Sequence, residues 1–138
     1  MKTYEEYLTK MLAIEPMKYE ELSKLVINWG EDKGIFAKST PLRQLDKTQE
    51  ELDETKFALT ELNDLDYQLE FMEEAGFPHQ SKEEILEAVE DGIGDMLVTI
   101  ILLAKMVNMD AVDCLNSAYD VIKKRTGKMV NGQFVKDK

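Results

Sequence analysis

Two groups of carboxylates carry the residue types and spacings that could do chemistry in this chain. On a helix advancing 100° per residue, Lys47, Glu50, Glu51 and Glu54 fall within a sector of roughly 100°, so three carboxylates and an ammonium share one edge beside a Leu45, Leu52, Leu59 stripe. Later in the chain Glu87, Asp91 and Asp95 recur at i,i+4, with Glu90 beside them, and Asp95 directly precedes the apolar run Met96-Leu97-Val98. An ionised carboxylate at the margin of a core needs a basic partner, a backbone donor or a cation, because burying it unpaired is costly. Antiparallel packing of the two segments would bring the Glu50, Glu51, Glu54 edge against Asp91 and Asp95, an all-oxygen set of the kind that suits magnesium or manganese. The competing reading is a solvated helix face laced with i,i+3 and i,i+4 charge pairs.

Positive charge is concentrated in Lys123-Lys124-Arg125 and Lys128. These residues either complement a helix C-terminal dipole or grip an anion. No Walker-type phosphate loop is present. His79 is the only histidine, which excludes a His-rich zinc site, and Cys114 has no neighbouring Cys or His with which to hold a soft metal. Trp29 shares a helical face with Leu22, Leu25 and Val26, a packing position from which it could also touch a ligand.

Helices must position these groups. Tyr4 to Ala13 and Tyr19 to Asp32 read as short amphipathic helices, separated by Pro16 and closed by Gly30 and Gly34. Ser39-Thr40-Pro41 is a helix start, and Leu45, Leu52, Leu59, Leu62, Leu69 and Met72 carry helical spacing to about Ala75, where Gly76 and Pro78 end it. Ser81 and Glu84 form a capping box for a second long helix through Ile85, Val89, Ile93 and Met96 to about Val107. Gly92 and Gly94 inside it each cost about 1 kcal/mol relative to alanine, which implies a bend or a close approach. Asp110 with Asp113 opens a third helix ending near Lys124, and Asn131-Gly132 is the turn of a short β-hairpin or extended tail.

With 138 residues, 43% hydrophobic and 33% charged, the chain suits a single domain spanning 1–138, all-α in class and built as an antiparallel helical bundle. A net charge of −11 opposes binding to nucleic acid or to an anionic membrane surface. The Met96–Val107 run, broken by Lys105, is too short to span a bilayer and too apolar all round for three helices to cover, which implies an oligomer. A lone cysteine with no secretory-type leader suits the cytoplasm.

Together these residues resemble the MazG-like all-α nucleoside triphosphate pyrophosphohydrolases, in particular the small phage and bacterial members, over most of the chain. Trp29, Gly34-Ile35 and Lys47-Thr48-Gln49-Glu50-Glu51-Leu52-Asp53-Glu54 are similar to the family's first block. Asp91-Gly92-Ile93-Gly94-Asp95-Met96-Leu97-Val98 resembles its second metal motif, and Cys114-Leu115 through Asn131-Gly132 to Phe134-Val135-Lys136 its C-terminal block. The resemblance implies cleavage of a nucleoside triphosphate to the monophosphate and pyrophosphate, with Mg2+ (or Mn2+) held by Glu51, Glu54 and Asp95. Glu50 would position or deprotonate water, while Lys47, Lys123 and Arg125 would stabilise the polyphosphate. Trp29 or Tyr119 would stack on the base, and the protein would be a homodimer or homotetramer. Two positions depart from the pattern: Gly92 replaces the usual acidic residue three before Asp95, leaving Asp91 as substitute ligand, and Asp120 stands where small members often have asparagine. The rival expectations are a non-catalytic nucleotide-binding sensor or sequestering module, and a purely structural acidic oligomer.

Overall fold

The computed structural model describes residues 3–6, 10, 17–75 and 81–138, with only the backbone described for 66–75. Most of the expected Tyr4–Ala13 helix lies outside the described residues, as do Pro16, Gly76, Pro78 and His79 and the side chains of Leu69 and Met72. The described chain is mostly helical. Helix α1 covers Tyr19–Asp32, and Gly34, at φ 75°, turns the backbone into the short α2, Ile35–Lys38, which the sequence pattern does not foretell. Helix α3 runs Pro41–Ala75, α4 Lys82–Met106 and α5 Ala111–Ile122, followed by strands β1, Gly127–Val130, and β2, Gln133–Lys136.

The helix starts use the residues the sequence marks. Arg43 N donates to Thr40 Oγ1 at 3.2 Å, and Glu84 N to Ser81 Oγ at 3.2 Å. Asp110 Oδ1 accepts from Val112 N and Asp113 N at 2.8 and 3.1 Å, so each side chain satisfies amides that the helix itself leaves free. Helix α4 ends in a Schellman turn: Asn108 adopts φ 59°, Met109 N donates to Ala104 O and Asn108 N to Lys105 O. That turn sends α5 off at 100° to α4.

Helices α3 and α4 pair antiparallel in a heptad register. Thr48 Oγ1 lies 2.7 Å from Thr99 Oγ1, and seven residues further along α3 and seven back along α4, Thr55 lies against Gly92. A further seven brings Leu62 onto the cluster of Ala58, Leu65 and Ile85, joined by Val89. A three-four repeat of facing positions is the geometry of a coiled-coil seam. The seam corrects one expectation. Leu45, Leu52 and Leu59 are not the buried stripe of α3; they stay about half exposed, while Glu51, Thr55, Ala58 and Leu65 are buried. The reason is steric: a Cβ on Gly92 would collide with Thr55 Oγ1, so the helices meet more closely than opposed leucines would allow.

Helices α1 and α5 cover the C-terminal half of α4. Ile101 and Ala104 pack with Ala111 of α5 and with Tyr19, Val26 and Ile27 of α1, and Gly30 admits Leu102, whose Cδ2 lies 2.5 Å from where a Cβ would sit. The Met96–Val107 run is thus partly covered within the chain, with Leu97, Ile100 and Val107 left exposed. No single helix among the described residues is long and apolar enough to cross a membrane.

Candidate functional site

The seam gives the α3–α4 pair two unlike edges. At 100° per residue, Lys47 and Glu54 flank the seam of α3 on one side and Leu45, Leu52 and Leu59 on the other. In an antiparallel pair with this register, Glu54 shares its edge with Asp95 of α4, three residues past Gly92; Glu50 and Asp91 lie just behind on the same side. Leu45, Leu52 and Leu59 share the opposite edge with Leu86, Ile93 and Ile100.

On the acidic edge Glu51 is the one buried carboxylate, 8% exposed. Lys47 Nζ reaches Glu50 Oε2 at 3.0 Å and Glu51 Oε1 at 3.3 Å. The hydrogen bond to Glu50, then that to Glu51, holds the Lys47 ammonium above the usual lysine range. Lys47 therefore supplies the counter-charge that a seam carboxylate requires. Glu54, Asp91 and Asp95 are exposed. Asp95 lines a groove of about 330 Å³ whose other walls are Leu22, Leu25, Val26 and Trp29 of α1 and Val98 of α4. The α1 face read from the sequence thus meets the α4 carboxylate in one place, an apolar groove with a carboxylate at its rim.

Among the described residues no three His, Cys, Asp or Glu side chains come together as a ready metal-binding group, and no buried side-chain polar atom lacks a partner. Gly92 offers no room for the acidic side chain that the resembled motif carries there, because Thr55 fills that space, with its Oγ1 donating to Glu51 O at 2.6 Å.

No family model, no curated protein and no solved structure matches the chain at a significant level.

The remaining candidates lie elsewhere. Tyr119, Lys123 and Arg125 are exposed on α5 and the turn after it, and none lines the Trp29–Asp95 groove. Lys123 Nζ donates to Asp120 Oδ1 at 2.9 Å and stands 5.7 Å from the centre of the Tyr119 ring, so these residues partner one another. A larger groove, about 410 Å³, lies between Ile27, Glu31, Phe36, Ser39, Pro41, Lys105 and Met106, and holds none of the candidate ligands. Sequence reasoning missed Thr55 and Val98. The signal for Thr55 is present in retrospect: Thr48 and Thr55 stand seven apart, as do Gly92 and Thr99.

Proposed function

We propose that the chain is a magnesium-dependent nucleotide pyrophosphohydrolase, in keeping with the resemblance of its motifs to the MazG-like helical bundles. The observation that carries the reading is the shared groove of Trp29 and Asp95, with Glu54 on the same edge of the helix pair. An indole beside four aliphatic side chains suits a planar, amphipathic base, and a carboxylate at the rim suits the phosphate end through a cation.

The donor chemistry fits a hard divalent cation, since every candidate is a carboxylate oxygen. Glu54 and Asp95, with Glu51 and Asp91 beside them, are the residues that would hold it. When bound, such an ion neutralises phosphate oxygens and lowers the pKa of coordinated water. Asp95 is the carboxylate that lines the groove, with Glu54 on the same edge of the helix pair, so the triphosphate would have to supply further oxygens to such an ion. Lys47 keeps its proton and sets positive charge at the same edge. Glu50, already engaged by Lys47, orients rather than deprotonates. The apolar walls Leu22, Leu25, Val26 and Val98 exclude water from the base end. Hydrolysis between the α and β phosphates would consume one water and release its proton to solvent, giving the monophosphate and pyrophosphate. The working form is a homodimer or homotetramer.

One observation favours the second reading, a binding module without turnover: Thr55 occupies the space of the third acidic ligand at Gly92. Incubation with a panel of ribo- and deoxynucleoside triphosphates and magnesium, with product separation, decides. Monophosphate plus pyrophosphate, lost in Glu54→Gln and Asp95→Asn, supports the enzyme. Saturable nucleotide binding without product, with manganese also tried, supports the module.

A further inference from the structure

The larger groove, about 410 Å³, lies outside everything the nucleotide reading uses. Ile27 and Glu31 belong to α1, yet at 100° per residue both stand about 160° around the helix from Trp29. The two grooves therefore open on opposite faces of α1.

Its walls are set by the chain around it. Gly34, at φ 75°, turns the backbone so that α2 brings Phe36 onto Gly30, where the ring stands 3.3 Å from the position a Cβ would take. Pro41 opens α3, and Met106 closes α4 just before the Schellman turn at Asn108. Ile27, Phe36, Pro41 and Met106 are each partly buried, so four helices build an apolar lining before any ligand arrives.

Three polar groups stand on that lining, and each is unspent. Ser39 Oγ accepts from Gln44 Nε2 at 3.0 Å, and its own O–H has no acceptor among the described residues. Glu31 and Lys105 both line the groove, yet among the described residues neither side chain has an ion-pair or hydrogen-bond partner. Lys105 also borders a neighbouring hollow with Asp110 and Asp113 and pairs with neither; Asp110 Oδ1 already accepts from Val112 N and Asp113 N.

The charges select the occupant by elimination. An apolar molecule would cover a carboxylate and an ammonium without replacing the water they lose. A simple anion meets Glu31 and a simple cation meets Lys105, in each case a like charge that disfavours it. A molecule carrying both signs satisfies both, and an apolar body lets it bury surface against the walls.

We propose that this groove binds a small zwitterion with an apolar body, of which a hydrophobic α-amino acid is the simplest form. Its ammonium meets Glu31, its carboxylate takes Lys105 and the Ser39 hydroxyl, and its side chain lies on Ile27, Phe36 and Met106. The contacts to Glu31 and Lys105 are charge-assisted hydrogen bonds, the stronger kind. The site is separate from the nucleotide groove, so its test reads binding and not turnover.

The full chain is titrated by calorimetry near neutral pH with L-phenylalanine and L-leucine. Three further molecules each lack one part: phenylpropionate the ammonium, phenethylamine the carboxylate, glycine the side chain. Saturable binding of the two amino acids is expected, with each incomplete molecule weaker by about tenfold or more. Glu31→Gln and Lys105→Met should each weaken phenylalanine by a similar factor; both side chains are exposed, so the fold is retained, which circular dichroism checks. No saturable binding of either amino acid overturns the proposal. So does phenylpropionate or phenethylamine binding as tightly as phenylalanine, or an affinity unchanged in both variants.

Discussion

Two glycines two residues apart, on opposite faces of one helix, should respond differently to the same substitution. Gly92 and Gly94 both lie inside α4, and in each case alanine gains about 1 kcal/mol of helix propensity. At Gly94 nothing lies within 4 Å of the added Cβ, so the gain is realised and Gly94→Ala stabilises by about 1 kcal/mol. At Gly92 the new Cβ collides with Thr55 Oγ1 and meets Thr55 Cβ at 3.1 Å. Relief requires the helices to separate, an overpacking cost of about 1–3 kcal/mol, or Thr55 to turn and give up its bond to Glu51 O, about 1 kcal/mol. Combining these terms, Gly92→Ala loses up to about 2 kcal/mol net. With an unfolding entropy of about 2 cal/mol/K per residue, that lowers Tm by up to about 7 °C, against a rise of about 4 °C for Gly94→Ala. Thermal unfolding at one fixed protein concentration reads both, since assembly would otherwise shift the midpoints. Thr55→Ala in the Gly92→Ala background should recover at least about 0.5 kcal/mol relative to additivity. A Gly92→Ala protein as stable as Gly94→Ala would refute the close crossing of α3 and α4 at Thr55.

Asp110→Ala removes the acceptor for Val112 N and Asp113 N and should cost about 1 kcal/mol, read by denaturant unfolding, whereas Asp110→Asn should cost a fraction of that. The folded chain holds the Lys47 proton more tightly than the unfolded chain does. The contribution of Lys47 is therefore complete below the ordinary lysine range and is lost as pH rises through the raised value. The stability difference between Lys47→Met and the unaltered chain should stay flat from about pH 6 to pH 9 and shrink only at stronger alkalinity. Gly132→Val, strained at φ 81°, should abolish amide protection in β1 and β2 by hydrogen exchange while leaving the protection of α3 and α4 unchanged.

The elements were legible because their boundaries are written in local chemistry: Thr40, Ser81 and Asp110 cap, and Asn131-Gly132 turns. The short α2 was not, since four residues carry too little periodicity to register. The face that α3 buries was misread for a physical reason. Leucine at 45, 52 and 59 advertises burial more loudly than threonine at 48 and 55, yet a seam closed by Gly92 selects small side chains and leaves the leucines to one flank. On the acidic edge the grouping of Lys47, Glu50, Glu51 and Glu54 followed from helical spacing alone. That Asp95 and Trp29 share a groove depends on how α1 lies over α4, a long-range relation that no local pattern encodes. The position of Tyr119, Lys123 and Arg125 away from that groove depends on the 100° turn at Asn108, which the sequence marks only by an asparagine.

Because Trp29 is the only tryptophan, its emission reports on one wall of the groove and nothing else. Titration of the protein with nucleoside triphosphates, with and without magnesium, tests the central claim most directly. The account predicts a saturable change in Trp29 emission that requires both nucleotide and magnesium and disappears in Asp95→Asn. Emission that no nucleotide alters, or that changes equally without magnesium and in Asp95→Asn, would contradict it.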